Sequence, residues 1–241
     1  MALGAWVLHV AALAMAPLSL VQAVISGGLV FLTVLAERVF GFKVGRRQWA
    51  GVGCTALGLV LLAATLPSAG GSHSHYSIAG MLAFESGLLA IGMLLVFSHK
   101  FGARNEHHGV LLGTAAGVLF GVSDVAIKAL TGTVASDGLL GLVSPWLVFC
   151  IAASVIAFYA SARGLQKGEA VPVITVTSAA ANVSAISGGL IVFGDPMPTD
   201  PVGIVLQSLA FVLVIVAAAL TPAPLRAAAG ARAATSASAT A

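Results

Sequence analysis

The chain has few charged residues and few cysteines. Only 8% of its 241 residues are Asp, Glu, Lys or Arg, 59% are hydrophobic, and two are cysteines. A soluble globule of this length needs far more polar surface, so the composition excludes that class of protein. Cys54 and Cys150 lie in separate hydrophobic runs without partner spacing, which favours small apolar core residues over a disulfide or a metal site.

Several functional signatures are also missing. The sequence contains no Gly-x-x-x-x-Gly-Lys-[Ser/Thr] phosphate loop, no Ser/His/Asp set at plausible spacing and no metal-binding cluster. It has no basic stripe with interleaved aromatic residues, so nucleic acid is not an expected partner. We therefore expect neither an enzyme nor a primary pump, and we expect no cofactor and no resident metal.

What the sequence does contain is a series of long apolar runs. A membrane-spanning helix needs about 20 apolar residues. The charge-free stretch 2–36 would be about 52 Å long as one helix, so Pro17 is expected to break it into a tight hairpin. The predicted spans are 2–16, 18–36, 48–66, 79–98, 109–131, 145–162, 171–193 and 202–220. The sequence thus predicts an all-α polytopic protein of the lipid bilayer, with about eight transmembrane helices.

The distribution of Lys and Arg predicts the orientation. All of these residues except Lys128 lie in every second gap between the runs or in the C-terminal tail, and the intervening gaps hold none. Short loops rich in Lys and Arg stay on the cytoplasmic side of a membrane. We therefore expect a multi-pass protein of the cytoplasmic membrane with both termini in the cytoplasm.

The chain contains an approximate internal repeat. In one copy, Trp6 and Pro17 precede an apolar helix with scattered polar residues, and in the other copy Trp146 and Pro172 precede a similar helix. The distribution of Lys and Arg gives the two copies opposite orientations in the membrane. Inverted-topology repeats are typical of secondary transporters. The predicted organisation is an incomplete three-helix repeat over 1–66, an outer loop over 67–78, a five-helix repeat over 79–220 and a disordered cytoplasmic tail over 221–241.

The repeat carries a resemblance to a known family. The first copy contains the segment 16–22, which leads to Ala36-Glu37-Arg38, and then the segment 46–51 and Gly58-Leu59. The second copy contains Gly168-Glu169-Ala170-Val171-Pro172, which leads to Val192-Phe193-Gly194-Asp195. These segments resemble the EamA-like proteins of the drug/metabolite transporter superfamily. Asp195 stands where that family usually has Glu. The resemblance implies ten helices in two halves, and the helices here look like the last eight, with the opening pair missing. A homodimer or a partner membrane chain would then complete the protein.

Three Asp, Glu or Lys residues fall inside the predicted spans: Glu85, Asp124 and Lys128. Such residues usually face a protein interior or a cavity, because a charge near the bilayer centre costs about 2.5–3.5 kcal/mol on insertion scales. Counting along the helices places Glu85 and Asp124 at similar depth. Two interpretations stay open: a proton-coupling or substrate-charge site, or a structural ion pair of Asp124 with Lys128, four residues on, whose ammonium snorkels to the outer surface.

A second pattern occurs once in each repeat. Ser19, Gln22 and Ser26 follow Pro17, and Thr175, Ser178 and Asn182 follow Pro172, each set on one helical stripe. Equivalent polar stripes predict a substrate-contacting cavity where the repeats meet, although interhelical hydrogen bonds would explain them too. The resemblance implies the cavity, because these helices correspond to ones that line it in the family.

Gly113, Gly117 and Gly121 form a stripe of small residues on the helix that carries Asp124, which indicates close helix packing. Taken together, the patterns favour a secondary transporter that moves a small organic solute by alternating access. Export and proton coupling through Glu85, with Asp124, are the expected mode. Divalent-cation transport of the magnesium type is the alternative, and a non-transporting, truncated or partner-dependent membrane protein is the third hypothesis.

The predicted topology can be tested by cysteine labelling. In a background lacking Cys54 and Cys150, Gly45→Cys and Gln166→Cys should react with a membrane-impermeant thiol reagent only from the cytoplasmic side. Asp137→Cys should react only from outside, because its gap holds no Lys or Arg. Labelling of positions 45 and 166 from opposite sides would overturn the inverted repeat.

Overall fold

The regular structure is entirely helical within the part of the chain that the computed structural model describes, which is residues 2–39, 45–65, 75–98 and 107–220. A short 3₁₀ helix, Gly138–Leu142, follows the fifth α-helix. The α-helices are α1 Ala2–Met15, α2 Leu18–Arg38, α3 Arg46–Thr65, α4 Ile78–Val96, α5 His108–Asp137, α6 Pro145–Lys167, α7 Ala170–Ile191 and α8 Pro201–Leu220. The predicted tail and most of the predicted outer loop lie outside the described residues.

The helices have the length and the surface of membrane spans. Helices α3 to α8 are each long and apolar enough to cross a bilayer, and Gly4–Met15 and Leu18–Gly28 form two shorter apolar helices. Large apolar side chains such as Leu8, Phe31 and Val148 are exposed on the outside of the bundle, where lipid would cover them. The prediction of an all-α polytopic membrane protein is confirmed.

The helix ends extend beyond two of the predicted spans. Helix α5 continues past residue 131 to Asp137, where Gly138 takes a φ of 64° and ends it, and α6 continues past residue 162 to Lys167. Hydropathy marks where the apolar part of a helix stops, whereas polar residues continue the same helix into the interface. The Thr133 hydroxyl, for example, donates back to the Leu130 carbonyl at 3.0 Å within α5.

Helix α5 is the buried centre of the bundle, and its glycine stripe packs against α7. A Cβ atom on Gly113 would lie 2.9 Å from the Val173 carbonyl oxygen, and a Cβ on Gly117 would collide with the Thr177 carbonyl oxygen. Backbone meets backbone along this face, so only glycine fits. The packing interpretation of the glycine stripe is confirmed, and the two helices run parallel because their contacts advance together.

Equivalent helices of the two predicted repeats pack antiparallel. Along α2 and α7, the Ser19 end meets the C-terminal end of α7, and Ser26 meets Asn182 further back along it. Helices α3 and α8 behave alike, since Arg47 donates to the Ala219 carbonyl at 3.3 Å while Gly58 lies against Ala210. This is the relation that inverted topology requires. The boundaries of the repeats, 1–66 and 79–220, remain a prediction.

Gly117→Ala should destabilise the bundle, because its new methyl group would separate α5 from α7. We expect a loss of about 1–3 kcal/mol, the usual cost of overpacking a dense interior, measured as a lower midpoint of thermal unfolding in detergent. Gly87→Ala on α4 is the matched control, since a Cβ there meets nothing within 4 Å. Equal midpoints for the two variants would contradict the close approach.

Candidate functional site

The Asp124 carboxylate is the centre of a polar cluster that joins three helices. Its Oδ2 accepts a hydrogen bond from Gln22 Nε2 of α2 at 2.6 Å, and its Oδ1 lies 3.3 Å from His9 Nε2 of α1. The His9 and Asp124 side chains are each 22% exposed, so the cluster is not sealed. Chemically, a half-buried carboxylate held by an amide and an imidazole can accept a cation or a proton.

The break at Pro17 explains why α1 and α2 can both reach Asp124. Proline lacks the N–H that would continue the helix, so the chain reverses after Met15 and begins α2 at Leu18. Both arms of this hairpin then lie beside α5. The hairpin therefore presents His9 from one arm and Gln22 from the other to the same carboxylate.

The cluster continues into α7 through the predicted polar stripes. The Ser26 hydroxyl is fully buried and lies 3.0 Å from the Gln22 carbonyl oxygen and 3.1 Å from Asn182 Oδ1. A hydroxyl has one proton to donate, so it can satisfy one of these two acceptors at a time. Ser26 and Asn182 thus connect the two repeats by an interhelical hydrogen bond, which was the alternative to the predicted cavity.

The other members of the stripes do not join the cluster through their side chains. The backbone N–H of Ser19 donates to Asp195 Oδ2 at 2.7 Å, away from Asp124. The Thr175 hydroxyl is buried and has no hydrogen-bond partner in the described part of the chain. Ser178 lies half-buried on α7. Their roles as substrate contacts remain predictions.

Glu85 on α4 is isolated from the cluster. Its side chain is completely buried, and neither carboxylate oxygen has a hydrogen-bond partner among the described residues. The packing agrees with the predicted depth of Glu85. Phe84, its neighbour in the chain, lies 3.2 Å from the position that a Cβ atom of Gly188 would take. Val125, the neighbour of Asp124, contacts that same position. Glu85 therefore faces the interior at about the level of Asp124.

Lys128 contradicts the structural interpretation that the sequence suggested. It forms no ion pair with Asp124, and it does not snorkel, because its side chain is 0% exposed. Its Nζ instead donates to the carbonyl oxygens of Leu13 at 2.5 Å and Ala16 at 2.8 Å. The last carbonyls of α1 have no partners within the helix and form its negative end, so they bind the ammonium in place of the carboxylate.

Two further residues, His9 and Asp195, could hardly be recognised from the sequence as parts of this region. His9 lies in a short apolar run and its role was open, and Asp195 was noted for the family resemblance alone. His9 contacts Asp124, 115 positions away on α5, and Asp195 contacts Ser19, 176 positions away at the start of α2. The signal that could have found them is polarity beside a helix break, where unpaired backbone groups need partners.

The described residues contain no group of three or more His, Cys, Asp or Glu side chains that could enclose a metal ion. A closed site for a tightly bound transition metal is therefore not formed by them. Mg²⁺ differs in this respect, because it keeps several water molecules and binds through one or two carboxylates. Asp124 supplies one such carboxylate, with the amide of Gln22 beside it.

Comparison with known proteins adds one relative. The chain is 26% identical over 226 residues to a protein of Arabidopsis thaliana named "Probable magnesium transporter NIPA9". The match covers 87% of this chain and 63% of the plant protein, so the chain spans less than two thirds of its relative's length. No protein-family model matches the chain. No solved structure matches it either.

The hydrogen bond between Gln22 and Asp124 should be measurable as a coupling energy. In a double-mutant cycle of Gln22→Met and Asp124→Ala, we expect about 1–2 kcal/mol of coupling in unfolding free energy, because the acceptor is charged. Gln22→Met with Thr177→Val is the control pair. The Thr177 hydroxyl bonds to the Gly113 and Val173 carbonyls, so this pair should couple by less than about 0.5 kcal/mol. Coupling no larger than the control would exclude the bond.

Proposed function

We propose that this chain is a membrane transporter that carries a divalent cation, with Mg²⁺ as the first cargo to test. The observation that carries the proposal is the similarity to a protein named as a probable magnesium transporter. The antiparallel packing of α2 on α7 supports it, because transporters built from inverted repeats bind their cargo where the repeats meet. The protein would act in the cytoplasmic membrane by alternating access, with both termini in the cytoplasm.

The chemistry of the Asp124 cluster suits a hydrated cation. A carboxylate oxygen is a preferred Mg²⁺ ligand, and a single carboxylate leaves most of the water shell in place, as Mg²⁺ requires. Gln22 and His9 orient the carboxylate without neutralising it permanently, since one is neutral and the other carries a positive charge only when protonated. Asp124 would therefore make the first protein contact with the ion.

Glu85 would be the second carboxylate of the transport cycle. An ionised carboxylate that is buried without partners is costly, and a bound proton or cation removes that cost. Because Glu85 is enclosed in the described conformation while Asp124 is partly exposed, the two would bind at different stages. Proton exchange at Glu85 would couple cation movement to a proton gradient.

Export of a small organic solute is the second candidate function. The observation that favours it is the contact of Ser26 with Asn182 between the repeats, because hydroxyl and amide groups can exchange hydrogen bonds with a polar solute. The wider resemblance to the drug/metabolite transporter superfamily supports this candidate. It needs no carboxylate in contact with the cargo, which distinguishes it from cation transport.

Purified protein in liposomes that enclose a magnesium-sensitive dye tests the proposal. Asp124→Asn removes the charge at nearly constant volume and should lower the initial Mg²⁺ flux about tenfold or more, because a charge-assisted contact is worth about 1.5–3 kcal/mol. Asp137→Asn is the matched control, since Asp137 ends the same helix on an exposed surface, and its flux should equal that of the wild type.

The same liposomes separate the roles of the two carboxylates. Glu85→Gln should retain the fold, because the amide matches the size of the acid, and should abolish acceleration of the flux by a pH gradient. A normal gradient response in Glu85→Gln would exclude Glu85 as the proton carrier. Wild-type liposomes without Mg²⁺ flux, but with flux of an organic solute that survives Asp124→Asn, would favour the second candidate.

A further inference from the structure

The break between α1 and α2 has a charged side chain on each side. Lys128 of α5 donates to the carbonyl oxygens of Leu13 and Ala16 at the C-terminal end of α1. Asp195, which follows α7, accepts the backbone N–H of Ser19 at the N-terminal end of α2. Each charge is opposite in sign to the helix end that it contacts, which is the favourable arrangement for a helix dipole.

The environment of the Lys128 ammonium resembles a binding site for a small cation. Two backbone carbonyl oxygens point at Nζ from the negative end of a helix, and the group is completely buried. The Asp195 carboxylate lies at the other side of the same helix break, where it accepts the backbone N–H of Ser19. Carbonyls at the ends of broken helices are the groups that bind a free monovalent cation in several secondary transporters.

We infer that Lys128 is a tethered cation: its ammonium occupies a cation site made by the α1 carbonyls, and by doing so it positions α1 against α5. The role of this positioning in transport rests on the proposed function, whereas the binding of the ammonium by the α1 carbonyls does not depend on it. The chain would accordingly need no free monovalent cation at this helix end. Lys128 is a positioning residue, because it contacts the hairpin and not the cargo.

The register of α1 on α5 shows what the ammonium positions. His9 and Leu13 are four residues apart on α1, and they contact Asp124 and Lys128, which are four residues apart on α5. The two contacts therefore lie one helical turn apart on parallel helices. Loss of the contact at Lys128 frees the end of α1, and His9 then loses its fixed position beside Asp124.

A small molecule has access to the neighbourhood of this site. A cavity of about 490 Å³ is lined by Ala14 of α1 and by Thr131 of α5, together with Tyr76. Ala14 lies in the chain between Leu13 and Ala16, whose carbonyl oxygens accept from Lys128, and the Thr131 hydroxyl donates to the Lys128 carbonyl at 2.7 Å. The wall of this cavity thus includes the residue that follows Leu13 in α1 and a residue that is hydrogen-bonded to the Lys128 backbone.

Chemical rescue tests the inference. Lys128→Ala removes three carbons and the ammonium beyond Cβ, a volume and charge that n-propylammonium matches. We expect Lys128→Ala to unfold at a lower temperature than the wild type, and n-propylammonium to raise its midpoint by several degrees by binding to the folded state. The wild type should not respond, because its site is filled. n-Propanol, which has the same carbon chain without the charge, should not rescue.

Lys128→Met separates charge from volume and keeps the test valid if Lys128→Ala is too unstable to purify. Methionine has nearly the length of lysine but no charge, so the α1 carbonyls lose their partner and the unfolding temperature should fall, without rescue by n-propylammonium. A Lys128→Met protein as stable as the wild type would overturn the inference. Equal rescue of Lys128→Ala by n-propanol would overturn it too, because volume alone would then suffice.

Transport measurements on the same variants separate this inference from the proposed function. If positioning is the role of Lys128, n-propylammonium should restore Mg²⁺ flux in Lys128→Ala liposomes together with stability. Rescue of stability without rescue of flux, in a protein whose wild type transports Mg²⁺, would overturn the positioning role. Charge-specific rescue of stability in a protein without any Mg²⁺ flux would support the tethered cation and exclude the proposed function.

Discussion

The close contact between α5 and α7 determines where the other helices can lie. Gly117 and Gly121 bring the two backbones together, so α5 has no freedom to shift along that face. Asp124 follows Gly117 by seven residues, and Lys128 follows Gly121 by seven residues. Seven residues are about two helical turns, so these side chains lie further along the same face of α5. There the face is covered by the α1–α2 hairpin in place of α7. One helix surface thus fixes both the repeat interface and the polar cluster.

The ionisable side chains around the α1–α2 hairpin each have at least one protein partner. Asp124 has an amide and an imidazole, Lys128 has two carbonyls, and one oxygen of Asp195 has a backbone N–H. In a bilayer, such pairing is the general requirement, because no bulk water is available to replace a missing partner. Glu85 departs from it, with two unpartnered oxygens in the described part of the chain. This isolation is the observation behind the proposal that Glu85 exchanges a proton or a cation.

The sequence predicted the helices well because hydropathy is a local property. It also placed the stripes of Ser26 and Asn182 at the interface of the repeats, where the structure shows the interhelical hydrogen bond that was the alternative to a cavity. It misjudged Lys128, because the four-residue spacing to Asp124 is visible in the sequence whereas the competing carbonyls of Leu13 and Ala16 come from a distant helix. For the same reason His9 could not be assigned, since its partner lies 115 positions away.

The balance of charge around the hairpin bears on what the protein can bind. Among the described residues, Asp124 and Asp195 contribute two carboxylates, Lys128 contributes one ammonium, and His9 contributes an imidazole beside Asp124. When both carboxylates and the ammonium are ionised and the imidazole is neutral, the net charge of these four groups is one negative charge. An ionised Glu85 would add a second negative charge. Charges in a poorly polarisable interior act over longer distances than in water. An anionic cargo would be repelled from the Asp124 cluster, whereas a cation would be attracted to the one carboxylate there that is partly open to solvent.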